Sequence, residues 1–142
     1  MSWLPKQKVV VPVDFSDESL AAVDTALTLV ADASHLHVIY VLPTIDMVEP
    51  ELIWANVDHE ARQHHAELAL REKLPGPKYA ALKLEVAFGD PSQEIAAFAQ
   101  RIGADLVVLP SHGRTGLSRL LIGSTAERVV RLAHCPVLVL RK

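Results

Sequence analysis

Five short runs rich in β-branched residues alternate with stretches of helical periodicity, and this alternation constrains the fold more than any other feature. Lys8–Val13 holds four valines and no polar alternation, as a strand buried on both faces requires. In Asp14-Phe15-Ser16-Asp17-Glu18, Ser16 is placed to cap a helix, and Asp17 and Glu18 complement its dipole. Leu20, Val23, Ala26, Leu27 and Val30 then recur at helical spacing, predicting a first helix over 17–32. Leu36–Leu42 reads as the second strand, stopped by Pro43.

From about Glu49 to Leu74 the chain is mostly helical, with Ile53, Val57, Ala61, His64 or His65, and Leu68 along one side. Pro75-Gly76-Pro77 ends that stretch. Ala81–Ala87 alternates Leu82, Leu84 and Val86 with Lys83 and Glu85, the pattern of a half-exposed third strand. Gly89-Asp90-Pro91-Ser92 reads as a turn and helix start. Ile95, Ala96, Phe98, Ala99 and Ile102 form that helix's buried stripe, and Gly103 its C-cap. Asp105–Leu109, Ser124–Ala133 and Pro136–Leu140 read as the fourth strand, the fourth helix and the fifth strand.

The order βαβαβαβαβ demands crossovers between parallel strands. The expected fold is therefore a single α/β domain: a five-stranded parallel sheet with helices on both faces. At 142 residues the chain is one domain by length and buries enough surface to need no metal or disulfide. Cys135 is its one cysteine, so no intramolecular disulfide framework exists. A net charge of −3 argues against a general nucleic-acid binder. The apolar run near the start is too short for a signal-peptide core, and nothing approaches the length of a membrane span. The expectation is a cytoplasmic protein without a membrane partner.

In sheets of this kind ligands bind beyond the carboxyl ends of the strands, where the strand order reverses. The connection after the fourth strand, Leu109 to Thr125, is long for a βα loop, contains Gly113, Gly116 and Gly123, and ends at a helix start. Glycine permits positive φ and close backbone approach, and the amides at a helix start form an anion site. Charge agrees. Residues 110–142 hold six Lys or Arg against one acid, a net +5, whereas residues 1–109 carry eight against sixteen, a net −8.

In nucleotide-binding members of the universal stress protein family a Gly is followed by two residues, a Gly, nine residues, and then Gly-Ser or Gly-Thr. Gly113, nine residues, Gly123-Ser124 is similar to that motif. Ser111-His112-Gly113-Arg114-Thr115-Gly116-Leu117, Val11-Pro12-Val13-Asp14-Phe15-Ser16 and His134-Cys135-Pro136-Val137-Leu138-Val139 also resemble the family, and the resemblance covers the whole chain, residues 1–142. One departure stands out: the motif's first glycine falls on Pro110, which has no N–H and a fixed φ.

The resemblance implies a Rossmann-like fold of the adenine nucleotide alpha hydrolase type, with strand order 3-2-1-4-5, and a site for ATP, AMP or ADP, with or without Mg²⁺. It implies Asp14 at the ribose or a metal with Pro12 and Val13 beside it, and Val41 presenting backbone groups to the adenine. Leu109 and Pro110 would flank base and ribose; Gly113, Gly123, Ser124 and Thr125 would hold the phosphates. His112 and Arg114 lie in the same loop. It also implies a homodimer through the fifth strand, Pro136–Leu140, whose apolar edge invites pairing with another chain.

Several residues carry a second reading. Ser124-Thr125-Ala126-Glu127 is also a capping box. Asp14 also suits an Asx-type bond into the first helix. Arg114 and Arg119 also read as solvated charges, and His112 as a loop histidine satisfying backbone groups. His59, His64 and His65 lack i,i+4 spacing and form no HExxH, so no metal site is expected. Cys135 reads as a buried structural thiol. No Gly-Lys-Ser/Thr of the Walker type is present, so any nucleotide hydrolysis is expected to be slow. Three functions follow: a nucleotide-binding signalling module, a slow nucleotide hydrolase, or a homodimeric interaction module that binds no nucleotide.

Overall fold

A computed structural model describes residues 3–43, 59–111 and 122–141. The elements run β1 (Val9–Val13), α1 (Asp17–Leu27), β2 (Leu36–Leu42), α2 (His59–Lys73), β3 (Lys83–Phe88), α3 (Pro91–Ile102), β4 (Leu106–Pro110), α4 (Ser124–Leu132) and β5 (Val137–Leu140). The strands form one parallel sheet in the order β3-β2-β1-β4-β5, the order expected from the sequence.

The near-continuous apolar strands divide their side chains between two cores. Val9, Val11, Val13, Val38, Leu106 and Val108 point to the face covered by α1 and α2, where they meet Ala22, Val23, Ala26, Ala66 and Leu70. Val10, Ile39, Val107 and Leu109 point to the other face, against Ile95, Phe98, Ala99, Ala126 and Val129 of α3 and α4. Burying both faces is what excludes polar alternation from β1 and β4.

The helix ends follow local chemistry. Ser16 caps α1, its hydroxyl accepting from the Ser19 amide at 3.1 Å. Asp90 caps α3 from in front of Pro91, and Gly103 closes that helix in the left-handed region at φ 70°. The first helix stops at Leu27, five residues short of the expected 32. The reason is non-local: the Leu29 carbonyl accepts from the Lys6 amide at 2.8 Å, and Lys6 bridges Val30, so the chain leaves the helix to pair with the segment before β1.

The second helix corrects the sequence reading in its buried face. Its expected start near Glu49 lies outside the described residues, as do Ile53 and Val57. Its buried side carries Ala66, Leu70 and Leu74, while Ala61, His64 and His65 are exposed and Leu68 is 54% exposed. Apolar residues stand on more than one face of this segment, so periodicity alone chose the wrong phase. Packing against β3 selects the other stripe.

Candidate functional site

The two prolines of the central strands explain where the sheet opens. Successive residues of a strand direct their peptide groups to alternate neighbours. The amides of Val107 and Ser111 both donate towards β5, to Pro136 O at 3.0 Å and Leu140 O at 2.8 Å, so position 110 faces β1. The Lys8 carbonyl accepts from the Asp105 amide, so positions 8, 10 and 12 of β1 face β4. Pro12 and Pro110 therefore turn their amide-less edges towards one another. The β1–β4 pairing ends below them, at Val10↔Val107. Both prolines lack the N–H that would carry the β1–β4 ladder further, so the pairing stops short of the carboxyl ends of β1 and β4, the point where strand order reverses and where such sheets form their crevice.

Around this crevice the structure gathers most of the residues singled out from the sequence. Pro12 and the buried Val13 end β1, and Leu109 and Pro110 end β4. Val41 lies one residue beyond the last β1–β2 pair, Val13↔Tyr40. Because the Leu42 carbonyl accepts from Gly89 on the β3 side, alternation turns the peptide groups of Val41 towards β1.

Asp14 stands at the rim. Its Oδ1 accepts from the Ser16 amide at 3.0 Å and its own amide donates to Ser19 Oγ at 3.2 Å, so the Asx-type turn is present and holds the carboxylate at the end of β1. Phe15, next in the chain, was not singled out from the sequence. It takes φ 66°, a conformation that costs a bulky L-residue about 1–2 kcal/mol. Its ring packs edge-on against Tyr40 of β2, with centroids 4.8 Å apart. No sequence signal marks that backbone. It is set by the reversal from β1 into α1 and by the ring's packing.

The start of α4 lies beside the end of β4. Gly123 is its N-cap, with no side chain capping the helix, so Ser124 is the first helical residue and the capping-box reading fails. Glu127 turns away to pair with Arg131 Nη2 at 2.7 Å. Gly123 adopts φ −65°, ψ 158°, an ordinary extended conformation; positive φ is not its reason for being glycine. Its amide donates to Ser111 O at 2.6 Å and brings the two ends of the β4–α4 connection together. The amides that head the helix are those of Ser124, Thr125 and Ala126, which have no partner within α4. His112, Gly113 and Arg114 lie outside the described residues.

On the β2–β3 side the end of the sheet carries a charge that sequence reading overlooked. Arg62 of α2 donates through Nη2 to Pro43 O at 3.3 Å, and its guanidinium carbon lies 5.5 Å from the centroid of the Phe88 ring. The signal was present: Arg62, Ala66, Leu70 and Leu74 follow one another at i+4, so a charged residue occupies the first position of the buried stripe.

A parallel sheet whose order reverses between β1 and β4, with helices on both faces and α4 starting from the carboxyl end of β4, defines a doubly wound α/β protein. Residues 6–141 match the model of the universal stress protein family. The chain is 35% identical over 141 residues to universal stress protein MJ0531 of Methanocaldococcus jannaschii, covering 96% of this chain and 82% of that one. It superposes on the universal stress protein UspA from Lactobacillus plantarum with a TM-score of 0.76 at 30% identity, over 95% and 97% of the two chains. It also superposes on a universal stress protein solved in complex with cAMP, with a TM-score of 0.56 at 26% identity over 96% and 97%. The chain belongs to the universal stress protein family.

Proposed function

We propose that the protein binds an adenine nucleotide, ATP foremost, in the crevice between β1 and β4, and that occupancy of this site serves as a signal in a stress response. What carries the reading is that the α4 amide terminus, the Asp14 carboxylate and the apolar ends of β1 and β4 all lie at the carboxyl end of the sheet where the strand order reverses. Phosphates suit the amides of Ser124, Thr125 and Ala126, where the helix dipole favours negative charge. Gly123, whose own amide is spent on Ser111, contributes a side-chain-free approach to them. Asp14 suits a ribose hydroxyl or a phosphate-bound Mg²⁺. Val41, Leu109 and Pro110 offer an apolar edge and peptide groups to base and ribose, and His112, Gly113 and Arg114, which the family motif assigns to the site, belong by sequence to the connection between β4 and α4. A family relative bound to cAMP supports the adenine-nucleotide class.

Turnover is not part of the reading. Phosphoryl transfer depends on groups preorganised around the γ-phosphate, and the chain has no Walker-type lysine. The working form we propose is a cytoplasmic homodimer through β5. That strand is the sheet edge, and its four residues are half-buried against both cores. The described part of α2 packs on β3, at the opposite edge, and does not cover it. No helix among the described residues is long and apolar enough to cross a membrane.

A ligand that binds only the folded state stabilises it by about 2.7 kcal/mol at a hundredfold excess over Kd. Millimolar ATP should therefore raise the melting temperature by several degrees. An unchanged melting curve would sink the binding reading and leave the non-binding interaction module in its place.

A further inference from the structure

A guanidinium N–H shut away from water without an acceptor is uncommon, and where one occurs it calls for a reason. Arg62 has one. Its Nη1 is buried, and among the described residues no acceptor reaches it, although Nη2 of the same group bonds Pro43 O at 3.3 Å. His35 Nδ1 is in the same condition, but it precedes Leu36 at the amino end of β2, away from the crevice. Arg62 is at the carboxyl end: Pro43 follows the last residue of β2, and Phe88, beneath the guanidinium, is the last residue of β3.

We propose that Arg62 is a ligand-contacting residue of the site, its Nη1 donating a hydrogen bond to an acceptor atom on the base of the bound nucleotide. The inference rests on the nucleotide reading above and adds a specificity determinant to it. Position decides between base and phosphate. Arg62 bonds the chain at the end of β2 and lies over the end of β3, so it stands roughly two to three strand spacings, about 10–14 Å along the sheet, from the end of β4, which α4 follows. A nucleotide with its phosphates on α4 and its length across β1 and β2 directs its base, not its phosphates, to Arg62.

Purines suit the donor. Adenine and guanine both present N7, and guanine adds O6. Phe88 and the Pro43 carbonyl hold the guanidinium in place before any ligand arrives, so little side-chain freedom is lost on binding. A buried donor that waits for a ligand is also a burden on the unliganded fold, because its water has been removed and nothing replaces it. A residue retained only for stability has the opposite signature.

The test is calorimetric titration of wild type, Arg62→Met and Arg62→Lys with ATP, adenosine and inorganic tripolyphosphate, with melting temperatures of the unliganded proteins beside it. Arg62→Met should weaken ATP and adenosine alike by about tenfold or more, as expected for a lost hydrogen bond from a charged donor. It should leave tripolyphosphate binding unchanged and the unliganded melting temperature no lower. Arg62→Lys, which keeps the charge but not the planar fork, should fail to restore base binding. Wild-type ATP binding undiminished in Arg62→Met would overturn the inference while sparing the nucleotide reading, and so would an equal loss towards tripolyphosphate, which marks general charge attraction. A fall in unliganded melting temperature with unchanged affinity would make Arg62 a structural strut. No binding of any nucleotide by wild type would overturn both.

Discussion

Pro110 occupies the position where the family motif has its first glycine, and the geometry says what restoring an amide there should do. Position 110 faces β1 above the last β1–β4 pair, so an N–H at this point would enter the crevice rather than the ladder. An added hydrogen bond of ordinary strength contributes about 0.5–1.5 kcal/mol, and 1.4 kcal/mol is a factor of ten. Pro110→Ala and Pro110→Gly should therefore each tighten ATP by roughly two- to tenfold. Both substitutions also release the unfolded chain that proline restrains, glycine more than alanine. The glycine variant should lose about 1 kcal/mol of stability, or roughly 3–5 °C in melting temperature for a chain of this size. Titration calorimetry on the nucleotide-stripped proteins reads the affinities, and thermal unfolding without ligand reads the cost. A gain in both variants assigns the effect to the amide; a gain in glycine alone assigns it to removal of the side chain from the crevice wall. Unchanged or weaker affinity in both well-folded variants would refute the placement of the nucleotide beside position 110.

Gly123→Val puts a branched side chain beside the α4 amides at a position whose φ any residue tolerates, so it should abolish the ATP-induced melting shift and leave the domain folded by circular dichroism. Val139→Lys places a charge in the middle of the β5 edge and should move the mass measured by light scattering from a dimer towards the 15.5 kDa monomer; a wild type that is already monomeric at micromolar concentration contradicts the proposed assembly. The Ser92 hydroxyl and then the Gln93 amide hold the Asp90 carboxyl below its ordinary value of 3.8, so its contribution to stability is present above that pH and lost as the pH falls below it. Asp90→Ala should accordingly cost about 1 kcal/mol at neutral pH, and the difference from wild type should shrink in urea melts below pH 4.

How much of this was legible in the sequence depended on whether the deciding interactions were local. β2 stands where the β-branched run and Pro43 put it, and the caps Ser16 and Gly103 are the residues their chemistry marked. The crossover pattern likewise sufficed for a parallel sheet, and the family resemblance supplied its strand order. The early end of α1 was hidden because Lys6, distant in sequence, supplies the partner for Leu29. The phase of α2 was hidden because Leu68 and Leu70 compete for the core, and contact with β3 settles it. At the site, Ser124-Thr125-Ala126-Glu127 fits a capping box by composition, but the cap falls one residue earlier, where Gly123 bonds Ser111 across the connection. Pro110 was visible as a departure from a motif. That it faces Pro12 and opens the sheet emerges only from the hydrogen-bond directions of both strands. The left-handed Phe15 leaves no trace in local composition, and Arg62 shows in the sequence only as a charge at the head of an apolar i+4 stripe; that its Nη1 is buried depends on Pro43 and Phe88, distant in the chain.

The central claim is that the β1–β4 crevice takes an adenine nucleotide, and titration calorimetry of the purified, nucleotide-stripped protein with ATP, AMP and cAMP tests it most directly. One site per chain for at least one of the three, with ATP the tightest and with binding lost in Gly123→Val, is the predicted result. Flat titrations for all three at protein concentrations that would detect a millimolar Kd would contradict it.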